Sequence, residues 1–76
     1  MNRIIIYGTH TCPWCRKTEK YLTEKDIKYE YIDVEKDENA SALIIEKTGQ
    51  RGVPVLNING IYIVGFNKTK IDENLK

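Results

Sequence analysis

The chain has 76 residues, 41% of them hydrophobic and 30% charged, which allows one small domain, spanning 1–76, with a thin core. Twelve basic and eleven acidic residues leave a formal net charge of +1, so the overall balance gives no case for nucleic acid or an anionic membrane as partner. No apolar run approaches the roughly 20 residues that span a bilayer, and two cysteines are too few for a disulfide-stapled secreted scaffold.

The first apolar segment, Arg3 to Gly8, is continuous and rich in isoleucine. That is the pattern of a central strand buried on both faces. It is too short for a signal peptide and lacks a small-residue cleavage site, so a cytoplasmic location is expected. Thr9-His10-Thr11-Cys12-Pro13 comes next. Thr11 or Cys12 is placed to cap a helix whose first-turn residue is Pro13, where proline is favoured. Good helix formers continue over 13–25, with Thr18, Tyr21 and Leu22 facing inward.

Lys28 to Asp33 alternates, with Tyr29 and Tyr31 opposed to Lys28 and Glu30, which predicts a strand with one more polar face. A charged loop over Glu35–Asp37 leads to a second helix from Glu38 to Thr48. Its inward positions are Ala40, Leu43, Ile44 and the aliphatic stem of Lys47, and Gly49 is placed to end it in the left-handed conformation. Two further apolar runs, Pro54 to Ile58 and Ile61 to Val64, flank Asn59-Gly60. Both turn residues tolerate positive φ, so a two-residue type I′ hairpin is expected. After Gly65-Phe66, Asn67 is placed to cap a last short helix carrying Ile71 and Leu75 at i, i+4. The order is β-α-β-α-β-β-α. The first two strands should be parallel with a right-handed crossover, and a mixed sheet flanked by helices on both faces follows.

The chemistry concentrates at Cys12-Pro13-Trp14-Cys15. A thiol where a helix begins sits among unpaired N–H groups at the positive end of the helix dipole. That environment lowers its pKa and makes a thiolate available near neutral pH. Cys15, one turn further in, is near enough to bridge and less exposed. Cys12 is therefore the candidate nucleophile, and Cys15 the thiol that resolves the mixed disulfide. Trp14 is expected to lie exposed beside them as an apolar contact for partners. A zinc site normally takes four ligands, and the chain offers two Cys and one His; no metal is expected. Arg16, Lys17, Arg51, Lys68 and Lys70 belong to segments that border the thiols, either a basic rim or an ordinary solvated surface.

With Cys-Pro-Trp-Cys, Val53-Pro54 and Gly65-Phe66 in place, the whole chain resembles the glutaredoxin family of the thioredoxin superfamily. It is most similar to the glutaredoxin-like redoxins that include electron donors of ribonucleotide reductase. The resemblance implies a thioredoxin fold with a four-stranded sheet and three helices, no bound cofactor, and a redox-active Cys12–Cys15 disulfide. It also implies a cis Val53-Pro54 bond facing the sulfurs, which frees the backbone of Val53 to pair with a substrate. Gly65 and Phe66 complete the substrate-binding surface, and Arg51 matches a basic position of the family.

Glutathione-using members carry a lysine three residues before the first cysteine, where this chain has Thr9. They also carry Gly-Gly followed by an Asp pair, where this chain reads Val64-Gly65-Phe66-Asn67-Lys68. Charge-assisted hydrogen bonds worth roughly 1.5–3 kcal/mol each are thereby lost. The implied function is dithiol–disulfide exchange with protein substrates by a monomer, recycled by a thioredoxin-reductase-like flavoenzyme. The alternatives are glutathione-dependent deglutathionylation and an iron–sulfur-binding module.

Overall fold

The computed structural model describes residues 2–75. Its elements are β1 (Ile4–Gly8), α1 (Pro13–Glu24), β2 (Glu30–Asp33), α2 (Glu38–Thr48), β3 (Val55–Ile58), β4 (Ile61–Val64) and α3 (Lys68–Asn74). The sheet order is β2-β1-β3-β4. β1 runs parallel to β2 and antiparallel to β3, and β3 pairs with β4 as a hairpin. This is the four-stranded mixed sheet of the thioredoxin fold.

Side chains alternate across the strands and so divide the core into two layers. Ile4, Ile6, Leu56, Ile58 and Ile63 face α1 and α3, whose Leu22 and Ile71 are fully buried among them. Tyr7 and Val55 face the other way, against Ala40 and Ile44 of α2. Thr18 is the buried polar exception on α1, and its hydroxyl donates to the Trp14 carbonyl at 2.8 Å, so it carries no unpaired group.

Local chemistry sets the ends of these elements. Asp37 caps α2 by accepting from the Ala40 amide at 3.0 Å, and Asn67 caps α3 by accepting from the Lys70 amide at 3.1 Å. Gly49 closes α2 with φ 74°. The hairpin turns through Asn59 at φ 52° and Gly60 at φ 94°, both left-handed as the type I′ pattern requires. The Asn59 side chain also accepts from the Arg3 amide at 2.9 Å and donates to the Asn74 carbonyl at 3.1 Å. It thus fastens the turn to the start of β1 and the end of α3.

Two expectations shift. The second strand begins at Glu30 rather than Lys28, because its pairing starts at Ile5↔Glu30 and the chain before it is still turning through Asp26 at φ 60°. Lys47 is exposed, so its stem adds nothing to the core; Leu43 and Ile44 cover the sheet there.

α3 is fastened to α1 by polar as well as apolar contacts. The Tyr21 hydroxyl donates to Asp72 at 2.6 Å, and Lys25 pairs with the same carboxylate at 3.3 Å. The Tyr21 hydrogen bond, followed by Lys25, holds the Asp72 carboxyl below its ordinary range. A carboxylate depressed in the fold contributes stability while ionised, and that contribution is lost as pH falls below the ordinary carboxylate range. Tyr21→Phe should therefore lower the urea midpoint near neutrality, and the deficit should shrink as the pH is taken from about 7 to about 2.

Candidate active site

The site forms where β1 ends and α1 begins. Cys12 is the helix N-cap, with φ −87° and ψ 111°, and its sulfur accepts from the Cys15 amide at 3.1 Å. Pro13 opens the helix, at a position whose N–H has no intrahelical partner to lose. Cys12 is bonded to Cys15 in a disulfide with Cα atoms 5.2 Å apart. The two sulfurs differ in access. Cys12 is partly exposed, whereas Cys15 is fully buried. Trp14, between them in sequence, is 54% exposed.

Gly8 lies behind Cys15. A β-carbon on Gly8 would stand 2.6 Å from the Cys15 sulfur and 2.5 Å from the Tyr31 hydroxyl oxygen. The missing side chain is what lets the first turn of α1 seat against the end of β1. Tyr31 donates to the Thr9 carbonyl at 2.7 Å, and Arg16 donates to the same carbonyl at 3.1 Å and to the Tyr31 oxygen at 3.3 Å. Arg16 also pairs with Glu19 and lies 5.1 Å from the centre of the Tyr31 ring. These bonds fix the loop that delivers Cys12. Burial pushes the Tyr31 phenol up, with Arg16 opposing, so it remains a neutral donor at physiological pH. His10, on the same loop, has its Nδ1 3.7 Å from Asp33 and 3.8 Å from Glu35.

The Val53–Pro54 peptide is cis and shares a groove with Trp14 of the Cys-Pro-Trp-Cys turn. The Pro54 carbonyl accepts from the Gly65 amide at 2.8 Å, joining the residue after β4 to the one before β3. Trp14, Val53, Pro54, Gly65 and Phe66 line one shallow groove of about 260 Å³, with the Trp14 and Phe66 rings 6.2 Å apart. Five of the six residues expected to bind substrate are thus brought together. Arg51 is the sixth; it is exposed and does not line the groove. No charged side chain lines it either.

Of the basic residues near the thiols, Arg16 is turned to the protein's own loop. Lys17 lies over the Trp14 ring at 4.4 Å and Lys68 over Phe66 at 5.9 Å. The Trp14–Lys17 contact has a sequence signal, the i, i+3 spacing on a helix. The Tyr31–Thr9–Arg16 network has none, since it joins residues up to 22 positions apart.

Residues 4–63 match the glutaredoxin family. The chain belongs to that family. It is 47% identical over 70 residues to a glutaredoxin-like 8.6 kDa protein in the rubredoxin operon of Clostridium pasteurianum, covering 92% of this chain and 93% of that one. It superposes on NrdH-redoxin from Escherichia coli, a glutaredoxin-like protein with a thioredoxin-like activity profile, with a TM-score of 0.83 at 26% identity, covering 97% and 96% of the two chains. A glutaredoxin from Archaeoglobus fulgidus gives a TM-score of 0.84 at 25% identity, over 97% of this chain and 86% of that one.

Two outcomes follow from the geometry of this glutaredoxin-family site. Gly8→Ala forces a β-carbon into the Cys15 sulfur and should cost about 1–3 kcal/mol of stability, as overpacking does, read from urea unfolding of the oxidised protein. In the reduced protein, iodoacetamide should modify Cys12 at least about tenfold faster than Cys15 near neutral pH, because thiolate character and access both favour Cys12. Peptide mapping by mass spectrometry would register equal labelling as a failure.

Proposed function

We propose that the protein is a dithiol–disulfide oxidoreductase that reduces protein disulfides. The observation that carries this reading is the asymmetric pair: a partly exposed cysteine at the start of α1, bridged to a buried one, in a turn whose Trp14 lines a groove shared with a cis-proline. In the reduced protein, the Cys12 thiolate attacks one sulfur of a partner disulfide and expels the other, which takes up a proton. Cys15 then loses its proton and attacks the Cys12 sulfur. The mixed disulfide breaks, the second partner thiolate leaves and is protonated, and the Cys12–Cys15 bridge forms. Two electrons and two protons pass to the partner. The dithiol itself carries them, so the cycle uses no bound cofactor.

Each neighbouring group has a role in this cycle. The first-turn amides of α1 stabilise the Cys12 anion. The Val53 backbone, presented by the cis bond, pairs with the extended partner segment. Trp14, Gly65 and Phe66 accept its apolar side chains. A groove with no charged lining favours such a segment over a small, highly charged thiol such as glutathione, and Thr9 and Asn67 offer none of the charge that glutathione-using members supply. The proposed role is an electron donor recycled by a thioredoxin-reductase-like flavoenzyme.

Cys15→Ser should lower dithiol-dependent reduction of a protein disulfide by at least about tenfold, since the mixed disulfide is then not resolved. Glutathione-mixed-disulfide chemistry needs only Cys12; if it were the main activity, the variant would keep most of its turnover. The oxidised protein should be reduced faster by thioredoxin reductase with NADPH than by glutathione with glutathione reductase. The reverse order would overturn the proposed reductant.

A further inference from the structure

A second groove continues the first. Lys17, Lys20, Tyr21, Glu24, Phe66 and Lys68 line about 210 Å³ between α1 and the start of α3. Phe66 belongs to both grooves. The floor is aromatic: Trp14, Phe66 and Tyr21 follow one another at centroid spacings of 6.2 and 5.6 Å. That path is no longer than about three to four residues of extended chain at roughly 3.3 Å each.

Its rim is cationic, and two of its three lysines lie over aromatic rings. Lys17 lies 4.4 Å from the centre of the Trp14 ring, and Lys68 lies 5.6 Å from Tyr21 and 5.9 Å from Phe66. Such contacts attract the two ammonium groups to the ring faces. Among the described residues, Lys17, Lys20 and Lys68 form no ion pair, whereas Lys25 is matched by Asp72. Glu24 is the single carboxylate in the lining. Lys68 acts on Asp72 at longer range, but three lysines outnumber the one lining carboxylate, so positive charge is gathered on one side of an uncharged groove.

We propose that this lysine-rimmed aromatic groove docks an acidic segment of the disulfide-bearing protein that the site reduces, with carboxylates two to four residues from the reacting cysteine. The inference rests on the function proposed above and specifies its substrate class. Aromatic rings supply the apolar floor that the partner's backbone and methylenes cover. The lysines select Asp or Glu over Lys or Arg and steer the encounter.

The test uses the full-length reduced protein and three peptides, each with one cysteine in a mixed disulfide with the same chromogenic thiol. Glutamates, lysines or glutamines flank the cysteine at two to four positions. The second-order rate with the glutamate peptide should exceed that with the lysine peptide by roughly tenfold at low salt, the low end of electrostatic steering. The ratio should fall toward one between about 10 mM and 1 M salt, as the Debye length shrinks from roughly 30 to 3 Å. The K20E/K68E double variant should lose or reverse the preference and keep the rate with the glutamine peptide. Equal rates for the charged peptides at low salt would overturn the proposal, as would a preference that survives in the double variant. Loss of the preference on adding inorganic phosphate, with sodium chloride at matched ionic strength as control, would assign a small-anion site instead and overturn the peptide assignment. Failure of the unmodified protein to react with any of the three peptides would overturn the proposed function itself.

Discussion

Cys15 is seated where the last residue of β1 has no side chain. The buried sulfur, the Tyr31 hydroxyl and the Gly8 backbone share one small volume, and a single β-carbon would occupy it. The position of α1 against the sheet depends on this contact. It sets how far the helix start advances beyond the strand, and hence where Cys12 meets the groove. A chain of this size has little core to spare for correcting a displaced helix, so the redox pair and the packing of the first β-α unit are one structural problem.

Around that contact, charge is segregated. The groove holding Trp14, Val53, Pro54, Gly65 and Phe66 is uncharged. The carbonyl of Thr9, in the loop that delivers Cys12, is already occupied by Tyr31 and Arg16, and Lys17, Lys20 and Lys68 stand to one side, on α1 and α3. A partner therefore meets an apolar surface at the sulfurs and an electrostatic one beyond them. The first rewards an extended backbone and apolar side chains. The second acts over a longer range and governs approach more than residence.

Much of this was legible in the amino-acid order because it is local. Asn59-Gly60, Gly49 and Asn67 each impose a backbone conformation or satisfy a helix end within a few residues, and the continuous run of isoleucines marks β1 as a strand buried on both faces; the cap at Asp37, read only as part of a charged loop, is added by the structure. The placement of Cys12 at a helix start has the same local character. What could not be read joins distant positions. Nothing near Gly8 signals that Tyr31 and Cys15 will converge on it, and Asn59 gives no sign of binding both Arg3 and Asn74. The Lys28 strand start failed because strand limits are set by the partner, and β1 offers no pairing before Ile5. Arg51 is expected at the site from its family position and from a segment bordering the thiols, and it does not line the groove.

Trp14 has one more consequence. It is the chain's single tryptophan, it is flanked by the two sulfurs in sequence, and it is half open to water under a lysine ammonium. Its indole emission is therefore an intrinsic optical gauge of the site. Breaking the bridge changes the two cysteines that flank it in sequence, and covering the exposed ring changes the polarity around it. The protein carries within its own chromophore a readout of both its electron load and its occupancy.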